Sequence, residues 1–225
     1  MQNRFDVIIV AAGSGTRLGF STPKAFVPLA GKPMLRYSFD TFREHPGTEN
    51  VILVVPETMI ETARDGFSAD KVTIVPGGAE RWESARNGCD ASIAEWVLVH
   101  DAARPFVTHA VIDALLEKSA VYDCAFSATP VVDTIRKYSG DTAGDTVDRS
   151  GLVRVGTPQL FRRVQLAEGL RLAPTMQPPP TDDAMLMQRM NIPVGLAWGD
   201  PTNFKITTRE DLATAEALLR SHTDS

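Results

Sequence analysis

The chain has 225 residues, and its 23 Lys and Arg against 28 Asp and Glu give a formal net charge of −5. This acidic balance argues against a nucleic-acid partner, because proteins bind a phosphate backbone through a basic face. A hydrophobic share of 43% is typical of a globular protein and not of a disordered one. We find no apolar run near the roughly 20 residues that span a bilayer and no signal-peptide pattern at the start. We therefore expect a single domain over residues 1–225, in the cytoplasm and without a membrane partner.

Short β-branched runs alternate with amphipathic, helix-length stretches along the chain. The runs that predict strands are 7–10, 51–55, 72–75, 96–99 and 125–132. The stretches that predict helices include 34–42, 111–116 and 209–220, each with apolar residues at helical spacing. This alternation predicts an α/β fold with a doubly wound, mostly parallel sheet, whose ligand lies at the carboxyl ends of the strands.

The segment from about 134 to 152 differs from the rest because it is polar and contains Gly140, Gly144 and Gly151 among several aspartates. A segment of this length without its own core is typical of a mobile loop or a projecting arm. On composition alone, a solvated hairpin is the favoured interpretation.

The first predicted strand ends in a small-residue turn, 11–19, whose bare N–H groups suit a polyanion at the start of a helix. The turn matches neither the dinucleotide fingerprint nor a Walker loop. Arg17 within it and Lys24 soon after it supply two cations. Ordinary surface cations beside a tight turn are the alternative, but the preceding strand favours a phosphate site.

Two further strands end in candidate ligand groups. Gly77 and Gly78 follow one strand and would let a flat ring lie against the main chain, with Ser84 on the next helix facing a base edge; a type II turn would explain the glycines equally well. Asp101 ends another strand, where a carboxylate suits Mg²⁺, although it could simply cap a helix. We interpret its neighbour His100 as a packed or hydrogen-bonded residue and not as a base.

Taken together, these motifs resemble those of the 2-C-methyl-D-erythritol 4-phosphate cytidylyltransferase family, and they occur in order along nearly the whole chain. The motifs are Ala11-Ala12-Gly13-Ser14-Gly15-Thr16-Arg17 with Pro23-Lys24, Gly77-Gly78-x-x-Arg81-x-x-Ser84, His100-Asp101-Ala102-Ala103-Arg104-Pro105, Pro130-Val131-x-Asp133-Thr134, Asp148-Arg149, Thr157-Pro158-Gln159, Thr181-Asp182-Asp183 and Asn203-x-Lys205-Ile206-Thr207.

The resemblance implies a role for each matching residue. It implies a CTP site with Ala11, Ala12, Gly13, Gly15, Arg17 and Lys24 around the triphosphate, Gly78, Ala79 and Ser84 on the cytosine, and Asp101 near the ribose and the metal. It implies a sugar-phosphate site formed by Arg104, Thr157, Thr181 and Lys205, joined by Thr134 and Arg149. The residues that it implies for catalysis are Arg17, Lys24, Arg149 and Lys205.

The resemblance further implies a Rossmann-like nucleotidyltransferase that transfers CMP from CTP to methylerythritol phosphate with Mg²⁺ or another divalent cation. It also implies a homodimer in which the polar segment at about 134–152 is a β-arm that completes the neighbour's site, which replaces the solvated-hairpin interpretation. A ribitol-5-phosphate cytidylyltransferase is the alternative within the same fold. A nucleotide-binding regulator without turnover is the alternative from another class.

Overall fold

A seven-stranded sheet forms the centre of the computed structural model, which describes residues 4–13, 15 and 19–223. Its strands are β1 (Phe5–Val10), β4 (Thr48–Val55), β5 (Val72–Pro76), β6 (Trp96–Asp101), β7 (Cys124–Pro130), β10 (Val153–Arg162) and β11 (Val194–Trp198). Their order across the sheet is β11-β7-β10-β6-β1-β4-β5. All neighbours pair in parallel except at β10, which is antiparallel to both β6 and β7. The predicted mostly parallel α/β sheet is confirmed.

Helices cover both faces of this sheet. They are α1 (Met34–Glu44), α2 (Ile60–Phe67), α3 (Arg81–Ala91), α4 (His109–Lys118), α5 (Arg163–Leu172), α6 (Ala184–Arg189) and α7 (Arg209–Thr223). Strand β1 shows why both faces are buried: Val7 and Ile9 pack on the layer that includes α1 and α4, whereas Ile8 packs on the layer that includes α3, α5 and α6. A strand that is covered on both sides needs apolar residues at consecutive positions, which is the pattern that predicted it. Among the described residues, no helix has the length and apolarity required to cross a membrane.

In the described part of the chain, two small antiparallel hairpins lie outside the central sheet. The first pairs β2 (Pro28–Leu29) with β3 (Lys32–Pro33). The second pairs β8 (Ile135–Ser139) with β9 (Thr142–Val147) through a turn in which Gly140 has a positive φ of 54°. The β8–β9 hairpin is exposed along almost all of its length and falls within the predicted arm. Its role in dimerisation stays a prediction.

Candidate functional site

Two cavities adjoin at the carboxyl edge of the sheet. The first cavity has a volume of about 310 Å³ and lies between the loops that follow β1 and β5 and the end of β6. The predicted residues that line it are Ala11, Ala12, Gly13, Gly15, Lys24, Gly78, Ala79, Ser84, Asp101 and Lys205. The structure thus brings the predicted nucleotide-binding residues to one place, apart from Arg17, which lies outside the described residues.

Glycine is required in the first loop by its contact with Lys24. Gly15 has a φ of +64°, and a Cβ atom there would lie 2.4 Å from the Cβ of Lys24. Only a residue without a side chain satisfies both conditions without strain. The loop backbone and the lysine stem therefore pack directly on each other, which fixes where the Lys24 side chain enters the cavity.

Close contacts with the first loop and with α3 also explain the glycines that follow β5. A Cβ on Gly77 would lie 2.3 Å from the Cβ of Ala12, and one on Gly78 would lie 2.3 Å from the Cβ of Glu83. Neither glycine has a positive φ, so the type II turn considered from the sequence is not their reason. The Gly78 N–H donates to the Ser84 hydroxyl at 3.0 Å, which holds the turn against the start of α3.

The Asp101 carboxylate lies between two cations at the boundary of the cavities. Its Oδ2 accepts a hydrogen bond from Lys205 Nζ at 2.7 Å, and its Oδ1 lies 3.2 Å from Arg81 Nη2. Arg81 also donates to Asp183 Oδ2 at 2.8 Å. Burial alone would raise the pKa of Asp101, but the charges of Arg81 and Lys205 outweigh burial and hold that pKa well below its usual range. Asp101 is therefore a carboxylate at neutral pH.

Asp101 is not a helix cap. It is the last residue of β6, whereas α4 begins at His109 and is capped by Thr108, whose hydroxyl accepts from the Val111 N–H at 3.4 Å. The helix-cap alternative is therefore wrong, and the Asp101 side chain is directed to the cavity.

His100 is a structural residue, as the sequence indicated. Its Nε2–H donates to the Arg104 carbonyl at 2.9 Å, and its Nδ1 accepts from the Thr157 hydroxyl at 3.2 Å. The ring packs on Phe42 with centroids 5.1 Å apart, and burial lowers the His100 pKa to about 4. The Thr157 oxygen in turn accepts the Asp101 N–H at 3.0 Å, so this neutral histidine helps to hold the end of β6 in place.

The second cavity, of about 330 Å³, lies between β7, β10 and the loop that leads to Lys205. Three of the predicted sugar-phosphate residues line it, namely Arg104, Thr157 and Lys205, and Lys205 also lines the first cavity. Arg104 donates to the carbonyls of Asn203 at 3.1 Å and Val155 at 3.4 Å. Its guanidinium therefore braces the wall of the cavity as well as giving it positive charge.

The remaining predicted site residues lie elsewhere in this chain. Thr134 and Arg149 are exposed next to the β8–β9 hairpin, where Arg149 donates to the Val132 carbonyl. Thr181 is exposed, and its hydroxyl lies 3.8 Å from the sulfur of Met185. The roles of these three residues stay predictions.

The residues that the sequence interpretation missed include three charged ones in or beside the two cavities. Arg81 lines the first cavity, Asp183 lies behind it, and Arg154 lines the second cavity, where its Nε donates to Thr129 at 3.3 Å. Arg81 and Asp183 belong to motifs that the resemblance used, which was the available signal. Nothing in the sequence distinguished Arg154 from other exposed arginines.

The fold and the two cavities define the class of protein. A mostly parallel α/β sheet with small-residue loops and cations at its carboxyl edge is the architecture of nucleotide-binding α/β proteins. A family model described as 2-C-methyl-D-erythritol 4-phosphate cytidylyltransferase matches residues 5–221. The chain belongs to this cytidylyltransferase family, and it is therefore an enzyme of the nucleotidyltransferase class.

Individual relatives agree with this assignment. A 2-C-methyl-D-erythritol 4-phosphate cytidylyltransferase of Deinococcus radiodurans is 43% identical over 98% of this chain and 91% of its own length. The crystal structure of the Thermus thermophilus protein with the same name has a TM-score of 0.80 and 31% identity, covering 98% of this chain and 100% of that one. A bifunctional IspD/IspF enzyme of Desulfotalea psychrophila is 36% identical over 95% of this chain, which spans 56% of that longer protein.

Proposed function

We propose that this enzyme transfers CMP from CTP to 2-C-methyl-D-erythritol 4-phosphate, in the synthesis of isoprenoid precursors. The observation that carries the proposal is that Lys205 lines both cavities, with its ammonium 2.7 Å from the Asp101 carboxylate. Transfer between two phosphorylated molecules requires a cation where the two meet. In this proposal the first cavity holds CTP, and the sugar phosphate occupies the second cavity with its phosphate toward Lys205.

The reaction needs no general base. A phosphate monoester is largely dianionic at neutral pH, because its second pKa is near 6. Its oxygen attacks the α-phosphorus of CTP, the new oxygen–phosphorus bond forms, and the bond to the bridging oxygen breaks with its electron pair leaving on pyrophosphate. This agrees with the position of His100, which is fully buried with both ring nitrogens in hydrogen bonds to Arg104 and Thr157 and therefore does not reach a substrate.

Charge repulsion is the main obstacle to this attack. Two like unit charges 4 Å apart cost about 4 kcal/mol at an effective dielectric constant of about 20. Lys24 and Lys205 lie on the wall of the first cavity, and we propose that they offset this repulsion and hold the attacking and leaving oxygens in line. Arg17 is proposed to bind the triphosphate with its planar guanidinium, which can contact two phosphate oxygens at once.

A divalent cation is part of the proposal. Among the residues described, no three His, Cys, Asp or Glu side chains cluster as a metal site. Two carboxylates line the first cavity, those of Glu80 and Asp101, and because the Glu80 side chain caps the start of α3, we propose Asp101 as the ligand. This donor set fits Mg²⁺, which often takes one or two carboxylates together with substrate phosphates. When bound, Mg²⁺ would neutralise charge on the triphosphate, and Asp101 would be its protein ligand.

We also propose that the enzyme is a cytoplasmic homodimer in which the β8–β9 hairpin of one subunit reaches the site of the other. Two observations support this assembly. The hairpin extends outside the central sheet, and Arg149 beside it lies away from the cavities of its own chain while it is predicted to bind sugar phosphate. The hairpin would then bring Thr134 and Arg149 to the partner's second cavity.

The proposal is tested by pyrophosphate release from the purified protein with Mg²⁺ and CTP. Pyrophosphate release is compared in three reactions, which contain methylerythritol 4-phosphate, ribitol 5-phosphate or no acceptor. We expect release with methylerythritol 4-phosphate. A preference for ribitol 5-phosphate would keep the chemistry and change the acceptor. CTP binding without release for any acceptor would overturn the proposal in favour of a nucleotide-binding regulator.

A further inference from the structure

Four charged side chains of alternating sign form a continuous line from the protein interior to the junction of the two cavities. In order, they are Asp183, Arg81, Asp101 and Lys205, joined by contacts of 2.8 Å, 3.2 Å and 2.7 Å. The Asp183 side chain is 2% exposed and that of Lys205 is 42% exposed. The line therefore connects a buried anchor to a cation that substrates can reach.

Burial explains why the inner end of this line is fixed. A buried carboxylate is costly unless it is paired, and the described partner of the Asp183 side chain is Arg81. The segment that carries Asp183 is itself held on β10, because Gln159 donates to Asp182 at 3.0 Å and accepts the Ala184 N–H at 3.0 Å. Asp183 is thus a fixed point to which the Arg81 guanidinium attaches.

The guanidinium of Arg81, held by Asp183, in turn fixes the position of the Asp101 carboxylate. One nitrogen, Nη1, faces Asp183, whereas Nη2 and Nε face the same oxygen of Asp101 at 3.2 Å and 3.4 Å. A planar fork of donors can hold two carboxylates at a set distance, which a single ammonium cannot do. The second oxygen of Asp101 then remains directed at Lys205.

We propose that Arg81 and Asp183 are positioning residues that, through Asp101, hold the Lys205 ammonium at the junction of the two cavities. The proposal rests on the proposed function for its kinetic consequence. Asp183 balances the charge of Arg81, so Arg81 orients Asp101 and does not act as a further phosphate-binding cation. Lys205 keeps hydrogen-bond donors for substrate phosphates, because an ammonium has three and Asp101 takes one.

Kinetics of four variants test the proposal: Arg81→Gln, Arg81→Lys, Asp183→Asn and the double variant Arg81→Gln with Asp183→Asn. We expect Arg81→Gln to lower kcat/KM by roughly 10²-fold, the loss that a displacement of about 1 Å causes at a positioned group. Arg81→Lys keeps the charge but not the fork, so it should not restore activity. Asp183→Asn should lower kcat/KM in the wild-type background and have no further effect in the Arg81→Gln background, because Asp183 acts through Arg81.

A matched control separates positioning from general damage to the helix. Arg86→Gln makes the same substitution on α3, where the guanidinium lies 5.2 Å from the Trp82 ring centroid and outside both cavities, and should leave kcat/KM unchanged. Arg81→Gln leaves the buried Asp183 carboxylate unpaired and can unfold for that reason, whereas the double variant removes both charges and should fold. Wild-type activity in folded Arg81→Lys, or additive losses in the double variant, would overturn the proposal.

A second measurement requires no turnover. Crystal structures of the wild type, Arg81→Lys and the double variant give the distance from Lys205 Nζ to Asp101 Oδ2, which is 2.7 Å here. We expect the wild type to keep this contact and both variants to lose it. Its retention in both variants would overturn the positioning role, even for a chain that released no pyrophosphate with any acceptor. Failure of the proposed function and failure of this inference are thus distinguishable.

Discussion

Lys24 is the residue for which the proposed chemistry makes the sharpest prediction. Its stem packs on the glycine loop, so that its ammonium enters the first cavity from a fixed point. Charge on the α-phosphate changes most in the transition state, and a point charge can follow that change. We predict that Lys24→Ala lowers kcat by roughly 10²–10³-fold, as removal of a transition-state donor does, and weakens CTP binding much less. Pyrophosphate release gives kcat, and titration calorimetry gives the Kd for CTP.

The matched control for this variant is Lys32→Ala. Lys32 is exposed on β3, away from both cavities. Its replacement should change neither kcat nor the Kd for CTP. If Lys24→Ala reduced turnover and CTP affinity by the same factor, Lys24 would be a ground-state ligand and its transition-state role would be wrong.

Single residues also show which parts of the site a sequence can predict. Gly15 and Gly78 were predictable as parts of a ligand loop because their steric requirement depends on near neighbours in the chain, Lys24 and Glu83. The Arg81–Asp183 pair was not, since its members are 102 residues apart and meet only after the sheet has formed. Motif resemblance marked both residues, but it gave no contact between them.

At the scale of elements, the β8–β9 hairpin carries a prediction about where Arg149 acts. We predict that Arg149→Ala chiefly raises the KM for methylerythritol 4-phosphate, because the guanidinium is expected to bind its phosphate. Steady-state kinetics at saturating CTP measure this effect. Arg136→Ala is the control. Arg136 lies in the same hairpin, where its side chain donates to the Gly144 carbonyl at 3.4 Å, so the variant should leave the KM for methylerythritol 4-phosphate unchanged.

Mixed dimers then decide whether Arg149 acts across the interface. If it does, a dimer of one Lys24→Ala subunit and one Arg149→Ala subunit contains one site with both defects and one site with neither. At a methylerythritol 4-phosphate concentration well below the KM of the Arg149→Ala enzyme, both homodimers should be slow, and mixing them with subunit exchange should therefore restore activity. No recovery, with exchange verified by mass spectrometry, would show that Arg149 acts on its own chain or not at all.

Element prediction succeeded where burial alone determines the pattern and failed where it does not. The central parallel strands are covered on both faces and are continuously apolar, as β4 shows at Val51–Val55 in its buried half. Strand β10 was missed because exposed residues at its start are followed by Gly156, Thr157 and Pro158, a sequence typical of a turn. It joins the sheet because β6 and β7 supply antiparallel partners from both sides, which no local pattern encodes.

At the scale of the whole molecule, the close packing of helix layers on the sheet limits which substitutions the helices that carry site residues can accept. Helix α3 carries Arg81 and Ser84 at its start and packs on β1 through Gly88. A Cβ atom on Gly88 would lie 2.3 Å from Ile8 Cγ2 and 3.0 Å from Val54 Cγ2. Both contacts belong to buried central strands, which cannot move without disturbing the opposite layer. We therefore predict that Gly88→Ala destabilises the protein by about 1–3 kcal/mol, the usual cost of overpacking.

A glycine-to-alanine substitution at another helical position should stabilise the protein instead. Gly66 lies in α2, and an added Cβ there would have no heavy atom within 4 Å apart from those of its chain neighbours and of its own helix backbone. Gly66→Ala should stabilise the protein by about 0.5–1 kcal/mol, because alanine loses less backbone entropy on folding into a helix. Urea unfolding midpoints of the two variants measure both effects. Equal shifts would mean that helix propensity alone determines the effect of both substitutions, whereas opposite shifts would show that the contact between α3 and β1 limits substitution at Gly88.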